Sequence, residues 1–352
     1  MNLEETLAAI RPVDQGLRAA AKRRMDTKTK PLGSLGALEE LAVRMALIQG
    51  RLDPSVSRKA SFVFAADHGV AEEGVSAFPA AVTPQMVLNF LGGGAAINVL
   101  CRHYGIEMRV VDMGVDFDFP PGGALLHKKV RRGTRNFLKE DALTRAEAVS
   151  ALEGGIAVFE EAFAHKPIDL VGLGDMGIGN TASATAIIAA ATGKPVGPLT
   201  GRGTGVDDAG LSKKIRVIEN ALTLRRPAGN DGLDILSKVG GLEIAGIAGC
   251  ALAAARLGRA VMLDGIISTA AGLVAYLLQP AVKDYLFIGH RSVERGQEAA
   301  CEILGLAPIV DLGMRLGEGT GAAVAMDLVE AACRIMDEMA SFESAGVSEK
   351  GA

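Results

Sequence analysis

Three glycine-rich stretches carry the residues best suited to chemistry. In Gly172-Leu173-Gly174-Asp175-Met176-Gly177-Ile178-Gly179-Asn180-Thr181, the glycines at 172, 174 and 177 satisfy GxGxxG, and a helical pattern follows. A second stretch, Gly201-Arg202-Gly203-Thr204-Gly205, lies about twenty residues on, with Lys213 and Lys214 one helix further. Exposed backbone N–H groups at such turns, with Asn180, Thr181 and Thr204 as side-chain donors and one of the two lysines, suit a single phosphate group. A dinucleotide site would want an acid at the end of the next strand, about twenty residues on. The chain instead runs through Gly193-Lys194-Pro195 into the second glycine segment, which weakens that reading. Tight turns without a ligand are the plain alternative. No GxxxxGK[ST] occurs, which argues against a Walker-type NTPase.

The third stretch is Asp311-Leu312-Gly313-Met314-Arg315-Leu316-Gly317-Glu318-Gly319-Thr320-Gly321. It places Glu318 where a strand hands over to a helix. An acid there can cap the first turn of the helix or serve as a base, and the stretch alone does not choose. His68 and His290 fall at strand ends, and a histidine beside an acid is more often a hydrogen-bonded structural group. No serine nucleophile elbow, HExxH or Cys/His pair is present, so hydrolase and metalloenzyme chemistries lack their parts.

The elements that must position these residues follow from composition and periodicity. The 352 residues are 49% hydrophobic but only 4% aromatic, with 44 glycines, which suits an α/β protein with a core of small aliphatic side chains. Apolar runs predict six strands, 61–66, 107–111, 169–173, 259–263, 284–288 and 306–310. Helical patterns span 3–25, 38–48, 142–163, 181–191, 207–224, 233–257, 265–278, 292–304 and 320–339, and another is capped by Thr83 with Pro84 at its first position. The alternation calls for a doubly wound, mostly parallel six-stranded sheet, with the first and last helices packed together as a smaller unit. In such sheets ligands bind at the carboxyl ends of the strands. Every predicted strand ends in an acid, a glycine or both, an unfavourable collection of carboxylates unless a polar ligand uses them. Glu318 is then one member of a set. The tail after Met339 is polar and expected to fray.

The same composition excludes other classes. The net charge of −4 comes from mixed signs, and the local cluster Lys128-Lys129-Val130-Arg131-Arg132 fits a solvated face, so no nucleic-acid partner is expected. Apolar runs are broken by Arg256, Arg259 and Asp264 before spanning length, so no membrane partner is expected either. The acidic Met1-Asn2-Leu3-Glu4-Glu5 and four scattered cysteines in helical patterns point to a reducing, cytoplasmic setting.

Five collinear blocks then carry a resemblance. Asp67-His68-Gly69-Val70 with Gly74-Val75-Ser76, Val82-Thr83-Pro84-Gln85-Met86 to Asn89-Phe90, Gly94-Ala95-Ala96-Ile97-Asn98, Met176 to Thr181, and Arg315 to Gly321 together closely resemble the nicotinate-nucleotide:dimethylbenzimidazole phosphoribosyltransferases. The resemblance runs from the first helix to about residue 340. It implies transfer of a phosphoribosyl group from nicotinate mononucleotide to 5,6-dimethylbenzimidazole, giving nicotinate and α-ribazole 5′-phosphate, the lower-ligand nucleotide of cobalamin. It further implies a homodimer without cofactor, a Rossmann-like large domain (31–320) and a small helical domain (1–30 with 321–346).

By the same resemblance, Glu318 is the general base, and Ser76, Gln85, Met86 and Leu316 surround the base pocket. Gly174, Gly177, Asn180, Thr181, Gly203, Thr204 and Lys213 hold the phosphate, and Ser292 is a further substrate contact. Asp175 stands where the longer glutamate is expected, as a second acid near the ribose. Arg315 either steers the phosphate or pairs with a neighbouring acid. The chemistry fits, because a pyridinium leaves without a strong acid while the incoming azole must lose its ring N–H. One base contributes roughly 10²- to 10⁴-fold, and positioning of two substrates up to about 7–11 kcal/mol. A nicotinamide-dependent oxidoreductase, or a non-catalytic nucleotide-binding protein with Glu318 as a cap, are the alternatives.

Overall fold

The computed structural model describes residues 1–348 and contains a single parallel sheet of seven strands. These are β1 (Lys59–Ala66), β2 (Glu107–Gly114), β3 (Leu125–His127), β4 (Leu170–Met176), β5 (Ala260–Leu263), β6 (Leu286–His290) and β7 (Pro308–Val310), in the spatial order β3-β2-β1-β4-β5-β6-β7. The α/β class and doubly wound order agree with the sequence reading; the strand count does not. Six strands were expected, and β3 is the additional one. It is a three-residue edge strand pairing only with β2, after Gly122-Gly123, too short for a periodic signal.

The first helices are α1 (Leu3–Ala9), α2 (Arg18–Asp26), α3 (Ala37–Gln49), α4 (Val82–Leu91), α5 (Ala96–Tyr104) and α6 (Arg145–His165). They are followed by α7 (Asn180–Thr192), α8 (Val196–Leu199), α9 (Asp208–Arg225), α10 (Gly232–Val239), α11 (Leu242–Arg256) and α12 (Ile266–Leu278). The last are α13 (Gly296–Leu304), α14 (Thr320–Glu338) and α15 (Phe342–Ala345). The single helix expected over 233–257 is two, because Gly240-Gly241 turns the chain between α10 and α11. The helical pattern over 3–25 is broken around Pro12, as its proline predicts, into α1 and α2. The described part of the tail, through residue 348, is tied down where it was expected to fray: Phe342 N donates to Thr27 O, and Ser341 caps α15 and bridges to Lys28, while residues 349–352 lie outside the described residues. The segment Val82–Tyr104 has the length and mean hydropathy (1.2) of a membrane span, yet it is two helices interrupted at Gly92–Ala95. Each is shorter than the roughly 20 residues that crossing a bilayer takes.

Helix α11 lies against β1, β2, β4 and β5 with α6 and α12 beside it, while α14 crosses β4, β5 and β6 with α3 and α5 as neighbours. Small residues make this possible. A Cβ on Gly155 of α6 would collide with the carbonyl of Gly246, and one on Gly249 of α11 with that of Leu152, so these helices touch backbone to backbone. The few aromatic side chains are placed centrally: Phe62 and Phe64 of β1, Phe159 and Phe287 are fully buried. At its C-terminal end α14 is tied to the N-terminal segment, where Arg24 Nη2 donates to Asp337 Oδ1 (2.9 Å) and Lys28 Nζ to the Met339 carbonyl (2.5 Å).

Candidate active site

Chain order reverses between β1 and β4, and a cavity of about 250 Å³ opens beside that point, over the carboxyl ends of β4, β5 and β6. Its wall contains Asp175, Gly177, Asn180, Thr181, Gly203, Thr204, Ser292, Arg315 and Leu316. Nine of the expected site residues, drawn from four separate segments, thus share one wall. Phe78 and Leu316 are exposed lining residues, and with Met176, Ile178, Ile266 and Ile267 they give the cavity an apolar portion beside its polar groups.

One side is built for an anion. Helix α7 begins at Asn180 after Gly179, which takes the left-handed conformation (φ +99°), and has no side-chain cap; Asn180 N and Ala182 N donate to the Gly177 and Gly179 carbonyls, while Asn180 and Thr181 line the cavity. Lys214 Nζ donates to Thr181 Oγ1 (2.8 Å) and to the Gly201 carbonyl (3.2 Å). The side chain is fully buried, and burial pushes its pKa down to about 8, with Glu294 pulling the other way. Lys213, the other of the two candidate lysines, is exposed. The neighbouring position on α9 faces inward, because successive helical residues are turned about 100° apart. Glu294, which the sequence reading did not single out, accepts from Gly203 N (2.7 Å) and so fixes the second glycine loop. Ser76 lies at the rim, its hydroxyl 2.9 Å from that of Thr204.

Acids gather beside this cavity: Asp175 lines the wall, whereas Glu318 follows the wall residue Gly317 without lining the cavity itself. Asp175, the penultimate residue of β4, accepts from Asn180 Nδ2 at 2.9 Å. Its pKa is raised well above the ordinary carboxylate value by burial, then by the charges of Asp264 and Glu243. Glu318 is 6% exposed and precedes α14 instead of sitting in its first turn; Gly319 is the N-cap. The helix-cap alternative therefore fails for α14. The carboxylate of Glu318 points to another helix, accepting from Ile97 N in the first turn of α5 at 3.4 Å. Burial raises its pKa, and the nearby Asp264 charge adds to this against the Ile97 hydrogen bond.

Several expected residues do not reach the cavity wall. Gln85 is exposed and Met86 half-buried on α4, and Gly174 serves another purpose: a Cβ there would collide with the Glu318 carbonyl. Thr83 is not a cap; α4 begins one residue earlier, and Thr83 Oγ1 instead accepts from Ile178 N (3.1 Å), tying α4 to the turn before α7. Arg315 has no ion-pair partner among the described residues, which leaves its charge free for a ligand. His290 lines the cavity, while His68 is held 2.7 Å from Glu243 Oε1 with both side chains fully buried, the structural pairing expected for a histidine beside an acid. No group of three potential metal ligands occurs among the described residues.

Comparison with known proteins agrees with this arrangement. A family model described as a phosphoribosyltransferase matches residues 10–347. The chain is 56% identical over 346 residues to the nicotinate-nucleotide–dimethylbenzimidazole phosphoribosyltransferase of Geobacter sp. (strain M21), covering 98% of this chain and 99% of that one. It is 57% identical over 349 residues to the enzyme of that name from Geobacter metallireducens, covering 99% and 98%. The crystal structure of CobT from Thermus thermophilus superposes with a TM-score of 0.91 at 46% identity, over 95% of this chain and 99% of that one. The end of β4, with the buried Asp175, and the N-terminus of α7 converge on one cavity in a chain of this similarity. The protein belongs to the nicotinate-nucleotide–dimethylbenzimidazole phosphoribosyltransferase family.

Proposed function

We propose that the enzyme transfers the 5-phosphoribosyl group of nicotinate mononucleotide to 5,6-dimethylbenzimidazole, producing α-ribazole 5′-phosphate and nicotinate for the nucleotide loop of cobalamin. The observation that supports this best is a cavity whose wall carries Asp175, Asn180, Thr181 and Arg315, with the buried acid Glu318 next in sequence to the wall residue Gly317 and Lys214 bonded to Thr181. The azole nitrogen attacks C1′ with its lone pair, and the bond to the pyridinium nitrogen breaks. The released electron pair neutralises the pyridinium, and the azole N–H proton passes to Glu318. Displacement from the opposite face inverts the anomeric carbon from β to α.

A base lifted by burial is better matched to this proton than an exposed glutamate. Asp175, whose pKa is pushed up by burial and by the charges of Asp264 and Glu243, contacts a ribose oxygen, a role its shorter side chain fills from the end of β4. Lys214, the N–H groups opening α7 and Arg315 hold the phosphate, while Phe78, Ser76, Met86 and Leu316 shape the base pocket. In this reading the enzyme works as a cytoplasmic homodimer without a cofactor. Residues 31–320 form its catalytic unit, and residues 1–30 with 321–346 a small helical one.

Nicotinate release from the mononucleotide, followed by chromatography against a panel of benzimidazoles and phenols, tests the assignment. Release should depend on the added base and be fastest with a benzimidazole. Base-independent release, or none, would overturn it.

A further inference from the structure

The backbone around Glu318 is unusual in three consecutive residues. Gly317, Glu318 and Gly319 all lie at positive φ, +81°, +63° and +92°. Two are glycines, for which this is unstrained, but Glu318 is one of only two non-glycine residues at positive φ among those described. A side-chain-bearing residue stays in that region when its surroundings impose it.

What imposes it comes from the end of β5. Asp264, fully buried, directs both carboxylate oxygens at the turn: Oδ2 accepts from Gly319 N (3.1 Å) and Oδ1 from Ala322 N (2.9 Å). The acid that caps α14 is thus supplied by a strand some 55 residues earlier in the chain. Helix α14 has no acid in its first turn, and its N-cap has no side chain. The flanking strand ends are cut back to let the turn approach. A Cβ on Gly174 of β4 would strike the Glu318 carbonyl, one on Gly289 of β6 would lie 3.0 Å from the Ala322 backbone, and one on Gly321 would strike the His290 ring. Glu318's own carboxylate contributes only the long contact from Ile97 N.

We propose that Asp264 is the positioning residue for Glu318: by holding the N–H groups of Gly319 and Ala322 it fixes the left-handed turn that presents the base. The proposal rests on the reading of Glu318 as that base. A carboxylate that only capped α14 would affect thermal stability and leave turnover of the folded enzyme alone. One that positions Glu318 affects turnover through Glu318 and leaves binding of the mononucleotide, assigned above to Lys214, Arg315 and the start of α7, unchanged.

Asp264→Asn is isosteric and sets an amide N–H₂ against one of the two backbone donors. It should lower kcat about 10²-fold, the scale of a misplacement of order 1 Å at a reacting group, with KM for nicotinate mononucleotide within about threefold. Made in the Glu318→Gln background, the same change should cost less than about threefold more, since two residues acting as one unit do not multiply their losses. Unchanged kcat in Asp264→Asn, or losses that multiply in the double variant, would overturn the proposal. If Asp264→Asn does not fold, Asp264→Glu takes its place; it retains charge and both acceptors one methylene displaced, with the same expected kcat and KM pattern. Failure of the underlying reading looks different: Glu318→Gln alone would then keep its turnover.

Discussion

The two edges of the sheet use the same kinds of charged residue to opposite ends. At the amino edge charges are matched in place. Arg58 Nε donates to Asp169 Oδ2 at 3.1 Å, Lys59 Nζ to Glu330 at 2.5 Å and Arg109 Nη2 to Glu107 at 2.7 Å. Arg109 holds the Glu107 carboxyl below its usual value. At the carboxyl edge Asp67, Asp175, Asp264 and Glu318 all have pKa values raised, with burial as the first cause in each. Buried polar atoms there also go without a hydrogen-bond partner, among them Asp67 Oδ1, His68 Nδ1, Glu243 Oε2 and Glu294 Oε2. Unpartnered atoms also occur near the amino edge, at Arg256 Nε and Arg259 Nε, so the contrast lies in the carboxylates: paired with cations at one edge, and buried with raised pKa values at the edge where the cavity opens.

That contrast can be broken most sharply at Glu318. Glu318→Gln keeps the shape and removes the base, so turnover should fall at least about 10²-fold, read as single-turnover nicotinate release. Next comes Lys214→Met, which removes a charge-assisted contact worth about 1.5–3 kcal/mol. KM for the mononucleotide should rise about tenfold to a hundredfold, and an unchanged KM would place the phosphate elsewhere.

Substitution at the amino edge should do the reverse. Asp169→Asn leaves Arg58 without its carboxylate and should cost about 1–3 kcal/mol in a urea titration, with kcat unmoved. At the other edge Asp175→Asn removes an ionisable carboxyl from a buried, acid-rich site while an amide oxygen can still accept from Asn180. It should raise stability by about 0.5–2 kcal/mol as turnover falls, and a loss of stability would end the comparison. The smallest effect is that of pH. Acids with raised native pKa values bind more protons folded than unfolded, so their contribution increases as pH falls through those raised values. Melting temperature should therefore rise modestly from neutral pH toward about pH 5. It should drop again below about pH 4.3, the ordinary glutamate value, where Glu147, held down to about 2 chiefly by Arg135, starts to lose its contribution.

Much of this was legible in the residues, for identifiable reasons. Strands buried on both faces, such as Phe62-Val63-Phe64, announce themselves as apolar runs, and their glycine and acid endings marked the ligand edge. Three things were not legible. An edge strand of three residues, β3, carries no period. The choice between Lys213 and Lys214 depends on the rotation of α9 about its axis, which a two-residue alternative cannot fix. The partnership of Asp264 with α14 joins residues 264 and 319 across β6 and α13, and nothing local to either segment signals it.

The left-handed backbone at Glu318 also bears on how this enzyme would respond to directed evolution. Flanked by two glycines at positive φ, position 318 is one where glycine would relieve strain of order 1 kcal/mol or more. A library screened for thermal stability alone should repeatedly recover Glu318→Gly among its gains, and every such clone would be catalytically dead.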